Sequence, residues 1–211
     1  MRVILIGPPG SGKGTQAHLI ETKLGIPHIS SGDMLREAVT EGSALGKEAE
    51  SYMSQGALVP DDLVIGIIME RISRGDACEG FLLDGFPRTL PQARALDNAL
   101  QEASCVIDHA LRIKVPDEEI IQRISGRRID PVTNEIYHTL FSPPPPEIAE
   151  RVIQRTDDNE DTLKKRLAKF HQDTGPILKF YAEKGLLKVV SGVGATKEVQ
   201  QRIFEAIQIS V

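Results

Sequence analysis

The stretch Gly7-Pro8-Pro9-Gly10-Ser11-Gly12-Lys13-Gly14-Thr15 carries the residue types that a phosphate group needs. Glycines let a backbone curl until successive N–H groups point at one anion, and a lysine at the end of the turn reaches the outer phosphates of a nucleotide. The usual phosphate-loop pattern puts Ser or Thr directly after the lysine to hold magnesium, whereas here Gly14 intervenes and Thr15 follows. A second element, Phe81-Leu82-Leu83-Asp84-Gly85-Phe86-Pro87-Arg88-Thr89, sets a carboxylate at the end of an apolar run and an arginine in the turn behind it. Asp84 suits a magnesium-bound water there, although an Asp before Gly also nucleates a turn, and Arg88 can equally be a surface charge. Arg123, Arg127 and Arg128 precede a proline-rich stretch, and Arg155 and Arg166 follow it. Arginine forks bind phosphoryl oxygens through paired hydrogen bonds, while a solvated helical face with Asp157, Asp158 and Glu160 accounts for some of them as well. Asp33 is open to two readings, as a metal partner or as an acid stabilising the first turn of a helix. None of the five histidines pairs with another at ligand spacing, and no Ser or Cys stands in a nucleophile elbow. A phosphate acceptor accounts for that, since its oxygens are already ionised and need positioning and charge neutralisation rather than a base. His138 reads as a loop or hydrogen-bonding residue.

These groups need strands that end in loops. Arg2 to Ile6 is a β-branched run closed by Gly-Pro-Pro-Gly, and Thr15 to Leu24 follows with helical periodicity. Further strand-like runs are Phe81 to Leu83, Leu111 to Val115 and Leu187 to Val190. Helices are expected at Asp61 to Arg74, Leu90 to Gln101, Asp117 to Ser125, Asn159 to about Glu183 and Lys197 to Ile209. Such alternation predicts a parallel α/β sheet. Two stretches depart from it. Ser31 to Val59 holds two short helical patterns broken at Gly42 and Gly56, and Arg127 to Arg155 reads as loop, with Asp130-Pro131, Thr133-Asn134 and four consecutive prolines at 143–146. A proline run is a stiff extended rod; the alternative use is as a ligand for a proline-binding module.

The chain has 211 residues, 40% hydrophobic and 26% charged, which at roughly 150 residues per domain is one generous domain or a core with insertions. With 25 basic and 30 acidic residues the net charge is −5, so no global positive field exists to hold a nucleic-acid polymer or an anionic membrane. Val3 to Ile6, cut off by Gly7-Pro8-Pro9, is too short for a signal-peptide core or a membrane span, and a cytoplasmic protein is expected. Cys78 and Cys105 stand alone in sequence and are expected to be two buried thiols.

Gly-Pro-Pro-Gly-Ser-Gly-Lys-Gly-Thr-Gln at 7–16, Ser-Ser-Gly-Asp-Met-Leu-Arg at 30–36, Asp-Gly-Phe-Pro-Arg-Thr at 84–89, Gly-Arg-Arg at 126–128 and Arg-Thr-Asp-Asp-Asn at 155–159 together resemble the adenylate kinase family over nearly the whole chain. The resemblance implies a three-layer α/β fold of the P-loop nucleoside triphosphate hydrolase type, with a parallel five-stranded sheet and two mobile insertions. The core would comprise 1–30, 60–126 and 159–211, with an AMP-binding segment at 31–59 and a lid over ATP at 127–158. The implied reaction is Mg·ATP + AMP ⇌ 2 ADP, in a monomer. By position, Gly10, Ser11, Gly12, Lys13, Gly14, Thr15, Arg123, Ile136 and Tyr137 would hold ATP. Ser31, Arg36, Ala57, Leu58, Val59, Gly85, Phe86, Pro87, Arg88 and Gln92 would hold AMP. Arg127, Arg155 and Arg166 would close on the phosphates, with Arg155 and Arg166 also meeting AMP, and Asp84 would hold Mg²⁺ through water. Family members usually carry threonine in place of Ser31, a change that keeps the hydroxyl.

Zinc-bearing relatives have four cysteines, or three and an aspartate, in the lid. The first pair of those positions falls on Asp130 and Thr133, no cysteine occurs between 127 and 158, and no structural zinc is expected. The shorter Pro143 to Val152 stretch replaces the second half, and the proline rod is expected to supply part of the missing constraint. UMP and CMP kinases are the nearest rivals. They tend to have shorter lids and an asparagine in place of Thr89, so Thr89, Gln92 and the long insertion favour AMP. A GTP-gated switch would need an Asn-Lys-x-Asp sequence, which is not found, and the intact lysine and arginine set argues against a degenerate interaction protein.

Overall fold

The computed structural model describes every residue except Gly56, Asn134 and 209–211. The expected break at Gly56, the second residue of the Thr133-Asn134 turn and the expected helix end at Ile209 therefore lie outside the described residues. The chain runs β1 (Arg2–Ile6), α1 (Lys13–Leu24), β2 (His28–Ser30), α2 (Ser31–Thr40), α3 (Ala44–Met53), α4 (Asp61–Ile72), β3 (Phe81–Asp84), α5 (Leu90–Glu102), β4 (His109–Lys114), α6 (Asp117–Ser125), β5 (Arg127–Ile129), β6 (Ile136–His138), α7 (Glu160–Glu183), β7 (Leu187–Ser191) and α8 (Thr196–Ala206).

Apolar runs without polar alternation must be covered on both faces, and β1 and β3 are. Five strands pair in parallel in the order β2-β3-β1-β4-β7. Ile4, Phe81 and Leu83 face one core with Ile68, Leu96 and Tyr181, while Val3, Leu5 and Leu82 face a second with Ala17, Ile20, Ile120 and Ile203. The result is a three-layer α/β fold. Register pairs Leu5 with Asp84, so the loop that follows β1 and the carboxylate that ends β3 open on the same edge of the sheet. In parallel sheets that edge, beyond the carboxyl ends of the strands, is where ligands bind.

Helix starts are set by side chains that satisfy the free N–H groups of the first turn. Ser30, Thr89 and Asn159 accept from the N–H groups of Asp33, Gln92 and Thr162. The expected helices occur: Asp117–Ser125 has the expected ends, and the others differ by no more than two residues at the ends described. β2 was not among the strands expected from the sequence; three residues, His28–Ser30, are too few to show a period, and pairing with β3 makes them a strand. Cys78 is exposed and Cys105 partly so, which corrects the expectation of two buried thiols: Cys78 caps a short 3₁₀ turn at Gly75–Ala77 instead of facing the core.

Arg127 to Arg155 is not the loop that its sequence suggests. β5 and β6 pair antiparallel, with Arg127 opposite His138 and Ile129 opposite Ile136, and Ile153 bridges to Ile129 from the other side. Between the strands, Asp130 is fully covered. Its carboxylate accepts from the Val132 N–H at 3.0 Å, the Thr133 hydroxyl at 3.2 Å and both arms of the Arg151 fork, the Nε arm at 2.9 Å. His138 stacks on Phe141, and its Nδ1 accepts from the N–H groups of Leu140 and Phe141. An acceptor Nδ1 leaves the proton on Nε2, which lies 3.2 Å from the Gln122 carbonyl. The four prolines are not one continuous rod, because Pro146 opens a 3₁₀ turn over Pro146–Ile148 that returns the chain toward Arg151. The tie across the segment is thus an ion pair, and the prolines shape the path that delivers its arginine.

Two outcomes follow. Gly46 of α3 sits so close to α2 that a Cβ would lie 1.9 Å from the Ala38 carbonyl oxygen. Gly46→Ala should push the helices apart and cost about 1–3 kcal/mol, read as a fall in Tm. Arg151 holds the Asp130 carboxyl below its usual pKa, so its contribution is complete above the ordinary carboxylate range and is lost as pH falls through the depressed value. Asp130→Asn should weaken hydrogen-exchange protection of the β5 and β6 amides at neutral pH, and the gap from the wild type should close on acidification.

Candidate active site

The turn after β1 reaches α1 through Gly10 and Gly12, at φ 78° and 90°, a left-handed conformation that costs glycine nothing. Helix α1 begins at Lys13, so the open N–H groups of its first turn face the loop. Lys13 folds back over the loop and donates to the Gly7 and Pro8 carbonyls at 2.9 and 3.0 Å. Burial pulls its pKa down to about 8, with Asp84 opposing and Arg88, Arg166 and Arg127 adding to the fall. The Ser11 hydroxyl, buried in the same turn, has no hydrogen-bond partner among the described residues.

Asp84 ends β3 beside this loop. Burial alone would raise its pKa, but Lys13 and then His28 hold it below the ordinary value. His28, on the neighbouring strand β2, places Nε2 3.7 Å from Asp84 Oδ2. Its own pKa lies above normal because the Asp84 contact outweighs burial. Behind Asp84, the Gly85 carbonyl accepts from the Ser31 hydroxyl and from Arg88 Nε, both at 2.7 Å. That turn ties β3 to the start of α2.

Arginines from separate elements converge in front of this turn. Arg88 lies deep enough that burial, with Arg166 beside it, lowers its pKa to about 10. Arg155 reaches a similar value, about 10, through burial and the nearby Arg36 and Arg127. Carboxylates behind them hold the forks. Arg127 pairs with Asp158 through both arms, Nε at 2.8 Å, and Arg166 meets Asp157 at 2.6 Å. Asp33 takes Arg36 and, at 3.4 Å, Arg155. Arg123 donates to Glu119 at 2.6 Å and to the Gly192 carbonyl at 2.9 Å.

One continuous cleft of about 1150 Å³ joins all of this, larger than a site for one drug-sized ligand at roughly 300–1,000 Å³. Gly10 to Thr15, Asp84, Arg123, Arg127, Ile136, Tyr137, Arg155 and Arg166 line it, as do Ser31, Arg36, Ala57 to Val59, Gly85, Pro87, Arg88 and Gln92. Phe86 is the exception: it is fully buried and packs in the core, so its side chain does not line the cleft. Sequence reading missed His28 and Asp61. Asp61 accepts from the Thr89 hydroxyl and from Gln92 Nε2, both at 2.7 Å. Neither has a local signal, since His28 sits in a strand too short to see and Asp61 reads as an ordinary acid at a helix start.

The arrangement is a cleft that gathers cations around a phosphate loop, with the ionised Asp84 carboxylate beside that loop. Such a cleft is suited to moving a phosphoryl group between two phosphates. Among the described residues no group of three or more His, Cys, Asp or Glu is placed to hold a metal ion, and no helix is long and apolar enough to cross a membrane. A family model described as adenylate kinase matches residues 5–186. With that match running from β1 into the start of β7's approach, and with the phosphate loop, Asp84 and the arginine forks inside it, the chain belongs to the adenylate kinase family and has the nucleotide-binding phosphotransferase chemistry of a nucleoside monophosphate kinase.

Proposed function

We propose that the protein is an adenylate kinase, catalysing Mg·ATP + AMP ⇌ 2 ADP. The observation that carries this reading is the single cleft in which Lys13 and arginine forks from five separate stretches face one another. The phosphate loop with Arg123, Ile136 and Tyr137 takes ATP. Ser31, Arg36, Ala57 to Val59, the Gly85 turn with Arg88, and Gln92 take AMP, and Arg127, Arg155 and Arg166 sit over both phosphate ends. The 127–158 segment acts as the lid and 31–59 as the AMP-binding segment.

An α-phosphate oxygen of AMP attacks the γ-phosphorus in line, and the bond to the β–γ bridging oxygen breaks, leaving ADP with that electron pair. The acceptor oxygen is already ionised, so no proton has to move, which is why the site needs no base. Lys13, Arg88 and the lid arginines neutralise charge that spreads over the transferred group. Asp84, buried and ionised beside the phosphate loop, fits a water of the magnesium shell, with the Thr15 hydroxyl at the same wall. Magnesium bound with ATP draws negative charge off its outer phosphates. Covering the γ-phosphate excludes water and with it wasteful hydrolysis.

AMP is favoured over UMP and CMP by Thr89, Gln92 and the long lid. Since Asp130 gives its oxygens to Arg151, Val132 and Thr133, the lid is taken to work without structural zinc. The protein is proposed to act as a cytoplasmic monomer.

Phosphoryl transfer from ATP to AMP, UMP, CMP and GMP tests the reading directly; a preference for any of the other three would overturn it. Lys13→Met should lower kcat by roughly 10² or more with the fold kept, and a folded variant with near-normal turnover would exclude that role. Arg88→Ala should raise KM for AMP by about tenfold or more, the scale of a hydrogen bond to a charged group, and should leave KM for ATP far less affected.

A further inference from the structure

Gln92 is almost fully buried and lines the cleft, yet its amide is not free to choose its orientation. The Arg88 backbone N–H points at one end of it at 2.7 Å, and the Asp61 carboxylate faces the other at 2.7 Å. A backbone N–H can only donate and a carboxylate can only accept. Oε1 must therefore face Arg88 and Nε2 must face Asp61; the reverse would set N–H against N–H and oxygen against carboxylate. Asp61 is itself held, because its second oxygen accepts from the Thr89 hydroxyl at 2.7 Å.

A glutamine amide has two N–H donors and two acceptor positions on its oxygen. The two contacts use one of each. One donor and one acceptor remain, in an order that cannot be flipped.

We infer that Asp61 is a specificity-positioning residue: by locking the Gln92 amide it makes the acceptor site select a base edge that carries an amino group beside a ring-nitrogen acceptor, and reject the same edge with an oxo group beside a ring N–H. This rests on the acceptor-site reading of Gln92 and goes beyond it. Adenine and hypoxanthine differ at that edge in this polarity while keeping almost the same size, so pocket shape cannot separate AMP from IMP. A fixed amide can, since the wrong base leaves buried polar groups opposed and unpaired.

The experiment compares kcat/KM for AMP, IMP, CMP and UMP in the wild type, Asp61→Asn and Asp62→Asn, with KM for ATP and Tm measured alongside. Asparagine at 61 presents either an oxygen or an N–H₂ to Gln92, so it removes one of the two constraints on the amide and leaves the Arg88 N–H alone to oppose its reversal. Asp62, also in the first turn of α4 and exposed, controls for the loss of a helix-start acid. The AMP-to-IMP ratio should fall by roughly 10- to 100-fold in Asp61→Asn, the scale of one charge-assisted hydrogen bond. It should hold in Asp62→Asn, with KM for ATP unchanged in both. If Asp61→Asn lowers AMP and IMP use equally, Asp61 is merely structural and the inference is overturned while the AMP reading stands. A wild type that uses CMP better than AMP would overturn the adenine reading and leave the preference for an amino edge intact; a preference for UMP would overturn both.

Discussion

Like charges repel, and a cleft that gathers Lys13, Arg36, Arg88, Arg127, Arg155 and Arg166 must hold them together before any substrate arrives. The molecule does so with a second rank of carboxylates. Asp158 takes the Arg127 guanidinium by both arms, while Asp33 and Asp157 take one arm each of Arg36 and Arg166, which offsets part of the repulsion. Burial first, and then the neighbouring guanidinium groups, lower the pKa values of Lys13, Arg88, Arg155 and Arg166. The unspent positive charge is what an incoming phosphate relieves. In a chain of net charge −5 these cations are gathered along one cleft, so phosphates are attracted by a local cluster and not by the field of the whole molecule.

The sheet makes this convergence short-range. Because β1 and β3 are neighbours, the phosphate loop and Asp84 meet with no long side chain needed to bridge them. The Gly85 carbonyl then gathers the Ser31 hydroxyl and Arg88 Nε on one atom. Through that atom the start of α2 and the arginine turn are placed by the same backbone unit, and neither can shift without the other. Asp61, Thr89 and Gln92 extend the tie to α4 and α5. This side of the cleft is therefore a connected polar scaffold of the kind whose members gain from being satisfied together.

What the sequence disclosed follows from range. The phosphate loop is written in consecutive residues, and the spacing of Gly10, Gly12 and Lys13 means little else. The long helix from Asn159 is legible because its cap and its period are both local. β2, β5 and β6 are three residues each, shorter than any period can show, and only pairing partners elsewhere in the chain make them strands. Asp130 with Arg151 and Asp61 with Gln92 are joined across 21 and 31 positions, and nothing in either neighbourhood announces the other member. Phe86 shows the opposite failing: a motif fixes the backbone path of all its residues, but one side chain in it is used for packing.

The contact between Arg155 and Asp33, 122 positions apart, joins the segment that carries the hairpin to the helix that starts the 31–59 excursion. The two segments hold one another there through an internal anion. A phosphate reaching the same guanidinium competes with Asp33 for it, so substrate entry exchanges one latch for another instead of creating closure from nothing. Because the Asp33 latch is exposed where a bound phosphate would be covered, dissolved salt screens the first more than the second. Rising ionic strength should thus weaken the Arg155 contact with Asp33 more than a covered phosphate contact at the same guanidinium.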